Sequence, residues 1–210
     1  MKIKTFVFNS FLVNTYLIQN DSGEVVIVDP ACYNDTEQNE LKSYIENKRL
    51  NVKMALSTHG HIDHILGNQF VQKTFNCPLL AHKDSEMYYK HAPSYGSVFS
   101  LDASDIGYPD GELNDGQEIE LGELKFEIIY TPGHAEGSVC IHIPEEKVLF
   151  SGDVLFQMGI GRTDLPGGNY NVLMDSIKNK LFNLPEETLV YPGHGPSTTI
   201  GAEKNENPFF

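Results

Sequence analysis

The run His59-Gly60-His61-Ile62-Asp63-His64 places four side chains of metal-ligand type within six residues, in a chain that has eight histidines. Imidazole nitrogens and carboxylate oxygens together suit zinc, iron or manganese. So short a segment cannot wrap all its donors around one tetrahedral ion without strain. Alternate residues point to opposite sides, so the spacing predicts two neighbouring ions, with His59 and His61 facing one and Asp63 and His64 the other. A pair of cations about 3.5–4 Å apart is a hydrolytic device, since together they activate a water and clamp the group it attacks.

Three further segments share one grammar: a run of strand-forming residues, a sharp turn and a single donor. Ile128–Thr131 leads through Pro132-Gly133 to His134, Val148–Ser151 through Gly152 to Asp153, and Leu189–Tyr191 through Pro192-Gly193 to His194. The first motif obeys the same rule, because Met54–Thr58 runs straight into His59. Donors that leave the C-terminal ends of strands collect on one rim of a sheet. A glycine beside the donor lets the backbone turn hard and approach the ion. The set then closes on two divalent cations, with zinc the leading choice and iron or manganese compatible. His59, His61 and His134 serve one ion, and Asp63, His64 and His194 the other. Asp153 has two oxygens and bridges both. A hydroxide between the ions is the expected nucleophile, oriented by Asp63. Asp29, which ends the apolar run Val25–Val28, either orients a ligand or caps a turn. His82, His91 and His142 read as surface or core residues.

The elements needed to hold these donors are legible as short strands at Ile3–Phe8, Thr15–Gln19, Glu24–Asp29, Val52–Thr58 and Pro78–Ala81. A second series follows at Glu118–Leu121, Leu124–Thr131, Ser138–Ile143, Lys147–Ser151 and Thr188–Tyr191. The continuous β-branched run at Val25–Val28 predicts a strand covered on both faces. Helical spacing appears after a cap at Asn34 or Asp35, again from His64 through Phe75, across Val172–Leu181, and in a short polar segment near the C-terminus. Residues 84–116 read as a short helix and a long loop. Each half runs as strands followed by a helix, so a two-sheet core with helices outside is expected.

The chain has 210 residues, a length that one domain spanning 1–210 accommodates. Its 29 acidic against 15 basic side chains leave a formal charge of −14, which repels phosphate backbones and anionic membranes. Neither nucleic acid nor membrane is therefore an expected partner. Cys32, Cys77 and Cys140 stand far apart and are odd in number, so reduced buried thiols are expected. No apolar stretch has the length of a membrane span or a signal-peptide core, and a reducing cytoplasm is the expected compartment.

With HxHxDH followed by a separate His, Asp and His, the chain resembles the metallo-β-lactamase fold superfamily. All seven metal positions match, and the likeness extends from the first strand to His194. Within that superfamily the run Gly152–Gly168 looks most like the short bacterial glyoxalase II-like hydrolases. The resemblance implies an α+β, four-layer αββα sandwich of two mixed sheets. It also implies hydrolysis of a small-molecule thioester such as S-lactoylglutathione. Longer glyoxalase II enzymes add a C-terminal helical domain that binds glutathione with basic residues. This chain ends sixteen residues after His194, so no such domain is expected. Arg162 is then the candidate for holding a substrate carboxylate, unless it forms an ion pair with Asp164. Tyr88, Tyr89, Tyr95, Phe99 and Tyr108 are candidates for lining the mouth of the site, with core or loop roles as the alternative. A second implied chemistry is that of the similar persulfide dioxygenases, which share a stretch like Gly159–Asp164. There one iron would be held by His59, His134 and Asp153. A lactamase is disfavoured, because the similar lactamases carry Cys where Asp153 stands.

Overall fold

The computed structural model describes residues 1–210. Strands β1 (Lys2–Phe8), β2 (Val13–Gln19) and β3 (Glu24–Val28) form an antiparallel meander. Helix α1 (Asp35–Asn47) follows, capped by the Asn34 side chain, which accepts from the Glu37 N–H. Strand β4 (Asn51–Leu56) then pairs parallel with β3. Helices α2 (Ile62–Ile65) and α3 (Asn68–Phe75) lead to β5 (Leu79–His82), and α4 (Glu86–Val98) leads to β6 (Gly111–Leu113), which closes a six-stranded sheet in sequence order.

The second sheet begins with β7 (Glu118–Leu121), β8 (Leu124–Tyr130), β9 (Val139–Ile143) and β10 (Val148–Gly152). A two-stranded hairpin of β11 (Leu155–Phe156) and β12 (Gly159–Ile160) projects from it, and α5 (Tyr170–Asn179) packs outside. Strands β13 (Leu189–Pro192) and β14 (Thr198–Thr199) complete the order β14-β13-β10-β9-β8-β7, and α6 (Ile200–Glu206) ends the fold.

Side-chain alternation explains the layering. In β3, Val26 and Val28 join the cluster between the two sheets, facing Phe126, Ile141 and Phe150. Val25 and Ile27 point the other way, into the layer under α1 and α3 with Leu41, Ile45 and Val71. The second sheet does the same: Leu149 and Cys140 turn outward to meet Leu173, Ile177 and Ile200. Helix, sheet, sheet and helix therefore stack as the expected four-layer sandwich, and β3 is covered on both faces.

Two local expectations are revised, and one element was not foreseen. The helical pattern after His64 is two helices rather than one. Gly67 separates them and packs so closely on Cys32 that a Cβ there would meet the Cys32 Sγ at 2.6 Å. Residues 84–116 hold a helix of 13 residues with Pro93 inside it, and the strand β6. A proline leaves the carbonyl four residues earlier without its helical donor. That carbonyl, Tyr89 O, receives the Tyr108 hydroxyl at 3.4 Å, which is how the helix tolerates the break. The hairpin of β11 and β12 has two residues per strand, too few for any alternation to show in the sequence.

Candidate metal centre

Five chain segments reach one rim of the sandwich from strand ends. Asp29 follows β3, His59 stands three residues beyond β4, His134 follows β8, Asp153 follows β10 directly, and His194 follows β13. Strands β8, β10 and β13 run the same way, so their C-terminal ends share an edge. His61, Asp63 and His64 are added by the bend into α2.

The structure gathers the seven residues singled out by spacing into two sets of three, with the seventh between them. Within each set the donor atoms lie within 4.8 Å of one another: His59, His61 and His134 in the first, Asp63, His64 and His194 in the second. His61 Nδ1 faces His134 Nε2 at 2.9 Å, and His64 Nε2 faces His194 Nε2 at 3.2 Å. Asp153 lies between the sets. Its Oδ2 is 3.6 Å from His134 Nε2 and 3.5 Å from His194 Nε2, while its Oδ1 is 3.3 Å from His64 Nε2. Asp63 Oδ2 is 3.3 Å from His194 Nε2 and 3.7 Å from His64 Nε2.

Most of the imidazoles are aimed from behind. His64 Nδ1 bonds Asp29 Oδ2 at 3.0 Å, His134 Nδ1–H donates to Arg162 O at 2.8 Å, and His194 Nδ1–H donates to Phe11 O at 3.0 Å. The Thr58 hydroxyl donates to Asp29 Oδ2 at 2.7 Å and so can accept from His59 Nδ1 at 3.1 Å. Each of these four rings thus turns Nε2 inward, as outer hydrogen bonds do in metal sites. Asp29 also accepts from the Thr58 N–H at 2.7 Å, so both its oxygens are engaged. It therefore orients ligands in both sets, one directly and one through Thr58. It does so from a left-handed backbone (φ 49°), a conformation costly for a residue with a Cβ.

Two buried atoms test whether this arrangement suits cations. His59 Nε2 and Asp153 Oδ1 are shielded from solvent and make no hydrogen bond. Leaving such atoms unpaired costs about 1–3 kcal/mol each. A cation among the donors would satisfy both, so the residues fit a metal pair. Close backbone approach supports this geometry. A Cβ on Gly193 would strike Asp153 Oδ1 and meet His64 Cε1 at 2.6 Å, and Gly152 turns with φ 48° directly against Thr58.

The two sets differ in protonation. Burial lowers His59, His61 and His134, with His61 down to about 3, so these rings are neutral. Burial also acts to lower His64 and His194, but the Asp153 and Asp63 carboxylates outweigh it. His64 is held well above its ordinary value and His194 is raised to about 9. Burial pushes Asp63 and Asp153 up, yet the facing histidines, His64 foremost, hold both below the usual carboxylate range.

A cavity of about 680 Å³ opens over the donors. Tyr88, Tyr95 and Phe99 line it, as does Arg162. The Arg162 guanidinium is forked onto Asp164 through two 2.8 Å bonds. Tyr89 instead lies fully buried in the core, and Tyr108 sits on the surface against Tyr89. His82 is stacked on the Tyr130 ring at 4.4 Å and lies outside the centre. Several functional neighbours were invisible in the sequence. Thr58 carried a weak signal as the residue between a strand and the motif. Phe11, Phe156 and Val98 carried none, because their place at the site depends on which segments the fold brings together.

The family model for the metallo-beta-lactamase superfamily matches residues 9–194. The chain is 37% identical to hydroxyacylglutathione hydrolase GloC of Haemophilus influenzae, over 100% of this chain and 98% of that protein. Among solved structures it superposes on BLEG-1 B3 metallo-beta-lactamase with a TM-score of 0.89 at 37% identity, covering 99% of each chain. It superposes on TTHA1623 in a di-iron-bound form with a TM-score of 0.87 at 31% identity, covering 100% of each chain. The matched span contains all seven donors, and both solved structures superpose over essentially the full length, so the chain belongs to the metallo-beta-lactamase superfamily.

Proposed function

We propose that the chain is a dinuclear metallohydrolase that cleaves thioesters of the hydroxyacylglutathione type. The observation that carries this reading is the position of Asp153, a carboxylate only 12% exposed that lies between two three-donor sets. His59, His61 and His134 would hold one divalent ion, Asp63, His64 and His194 the other, and Asp153 both. Zinc is the proposed occupant, while the likeness to a di-iron protein keeps iron compatible with the same nitrogen and oxygen donors. Bound there, the ions would make hydroxide available near neutral pH and polarise the scissile carbonyl.

The chain's own contribution is orientation and exclusion. Asp29, Thr58 and the carbonyls of Phe11 and Arg162 fix the imidazoles before substrate arrives. Asp63 and Asp153 supply the anionic oxygens that keep the nucleophile in place. The aromatic side chains of the cavity keep bulk water from the thioester. Hydrolysis forms a C–O bond and breaks the C–S bond. It releases a carboxylic acid and a thiolate, and thiols ionise near pH 8.5, so departure needs no strong acid. Arg162 is proposed to meet a polar substituent of the substrate at the rim. A reducing cytoplasm is the proposed setting, supported by three buried thiols, two of which burial pushes up to about 12.

Elemental analysis with a rate assay on S-lactoylglutathione tests the reading. Two ions per wild-type chain and turnover are expected. Asp153→Ala should lose at least one ion and about 10²–10³ in kcat, the scale of a group that stabilises the reacting oxygen. Full metal content and rate in that variant would refute the assignment. A single iron with oxygen uptake on a persulfide would instead support the oxygenase alternative. Turnover of a β-lactam, which the likeness to BLEG-1 makes worth assaying, would redirect the substrate while keeping the centre.

A further inference from the structure

Resting on the thioesterase reading, we propose that the preferred substrate carries an apolar acyl chain, and that Tyr95, Val98 and Phe99 select it. Two observations converge. The C-terminal end of α4 turns apolar side chains toward the cavity and leaves them open. Val98 is 75% exposed and Phe99 50%, and both line the cavity with Tyr95. Phe11 meets Phe99 edge-on at 5.3 Å, extending that wall toward His194, whose Nδ1 is held by the Phe11 carbonyl. Phe156, Leu165 and Pro166 line the same cavity.

The second observation is chemical. Thiol carriers bear polar amides, so the acyl side is the part of a thioester that matches an apolar wall, while the carrier points to solvent.

The test uses the metal-loaded enzyme and straight-chain acyl esters, acetyl to octanoyl, of N-acetylcysteamine, a neutral carrier, alongside the same acyl groups on glutathione. We expect kcat/KM to rise about three- to fourfold for each added methylene, the transfer increment for one CH₂. The same slope is expected on both carriers, because the acyl chain sets it. Val98→Asp and Phe99→Ala should raise KM for the octanoyl ester more than for the acetyl ester; Val98 is exposed, so its variant should fold. A flat chain-length series on either carrier overturns this inference and leaves the thioesterase reading intact. A flat series together with a dimer that Val98→Asp dissociates overturns it in favour of a second copy on this wall. Hydrolysis of no thioester at all overturns the thioesterase reading, and this inference falls with it.

Discussion

Asp29 shows how much the centre depends on one side chain that holds no ion in the proposed scheme. It positions His64 directly and His59 through the Thr58 hydroxyl. Loss of such an outer partner typically costs 10–100-fold in metal affinity. Asp29→Ala should therefore weaken both sets by about that factor in a chelator competition, whereas a turn-capping role alone would leave affinity unchanged. Protonation gives a second prediction. In the metal-free protein His64 and His194 are raised, so their stabilising effect is complete below the unfolded value near 6.5. It is lost as pH rises, through about 9 for His194. The lowered His59, His61 and His134 act in the other direction, costing nothing above 6.5 and destabilising as pH falls. Urea unfolding of the metal-free protein should thus show greatest stability near pH 6.5. Metal should remove the alkaline decline, because the cation replaces the proton between His194 and the carboxylates.

At the scale of elements, the hairpin of β11 and β12 supports the centre from outside it. It carries Phe156 into the cavity and continues to Arg162, whose carbonyl holds His134. Glu203 on α6, buried at 1% exposure, pins the hairpin tip. It accepts from the Met158 N–H at 2.9 Å, the Thr198 hydroxyl at 2.6 Å and the Asn207 amide at 2.7 Å. Glu203→Ala would strand these three donors and should cost at least about 3 kcal/mol in denaturant unfolding, at about 1–3 kcal/mol per unpaired group. Glu203→Gln should cost less, since its amide can donate to the Thr198 hydroxyl. These links explain what was readable beforehand. Long alternating or apolar runs such as Val25–Val28 announced their strands and both of their faces. The seven donors were legible because turn chemistry and ligand type coincide at each. The hairpin, the length of α4 and the role of Glu203 rest on tertiary partners, and two-residue strands leave no periodicity to detect.

For the whole molecule, the donors tie the two sheets together. The second sheet supplies His134, Asp153 and His194, and the first supplies the HxHxDH segment and Asp29. Asn14 Nδ2 adds bonds across the same seam, to Pro192 O at 3.0 Å and Gly195 O at 2.8 Å. An ion bound only by the folded state stabilises it by about 4 kcal/mol at a thousandfold excess over Kd. For a chain of this size that corresponds to about 8–16 °C in Tm. Differential scanning calorimetry before and after chelation should show a loss of that order. No helix is long and apolar enough to cross a membrane.

The two oxygens of Asp29 have one more consequence. Because a single carboxylate steadies a ring in each half of the centre, neither half can relax alone. An ion entering one half stiffens the support that the other relies on, so the second ion meets a scaffold already set. Occupancy should then move from none to two with little accumulation of singly loaded protein, and the enzyme would behave less as a pair of pockets than as one switch.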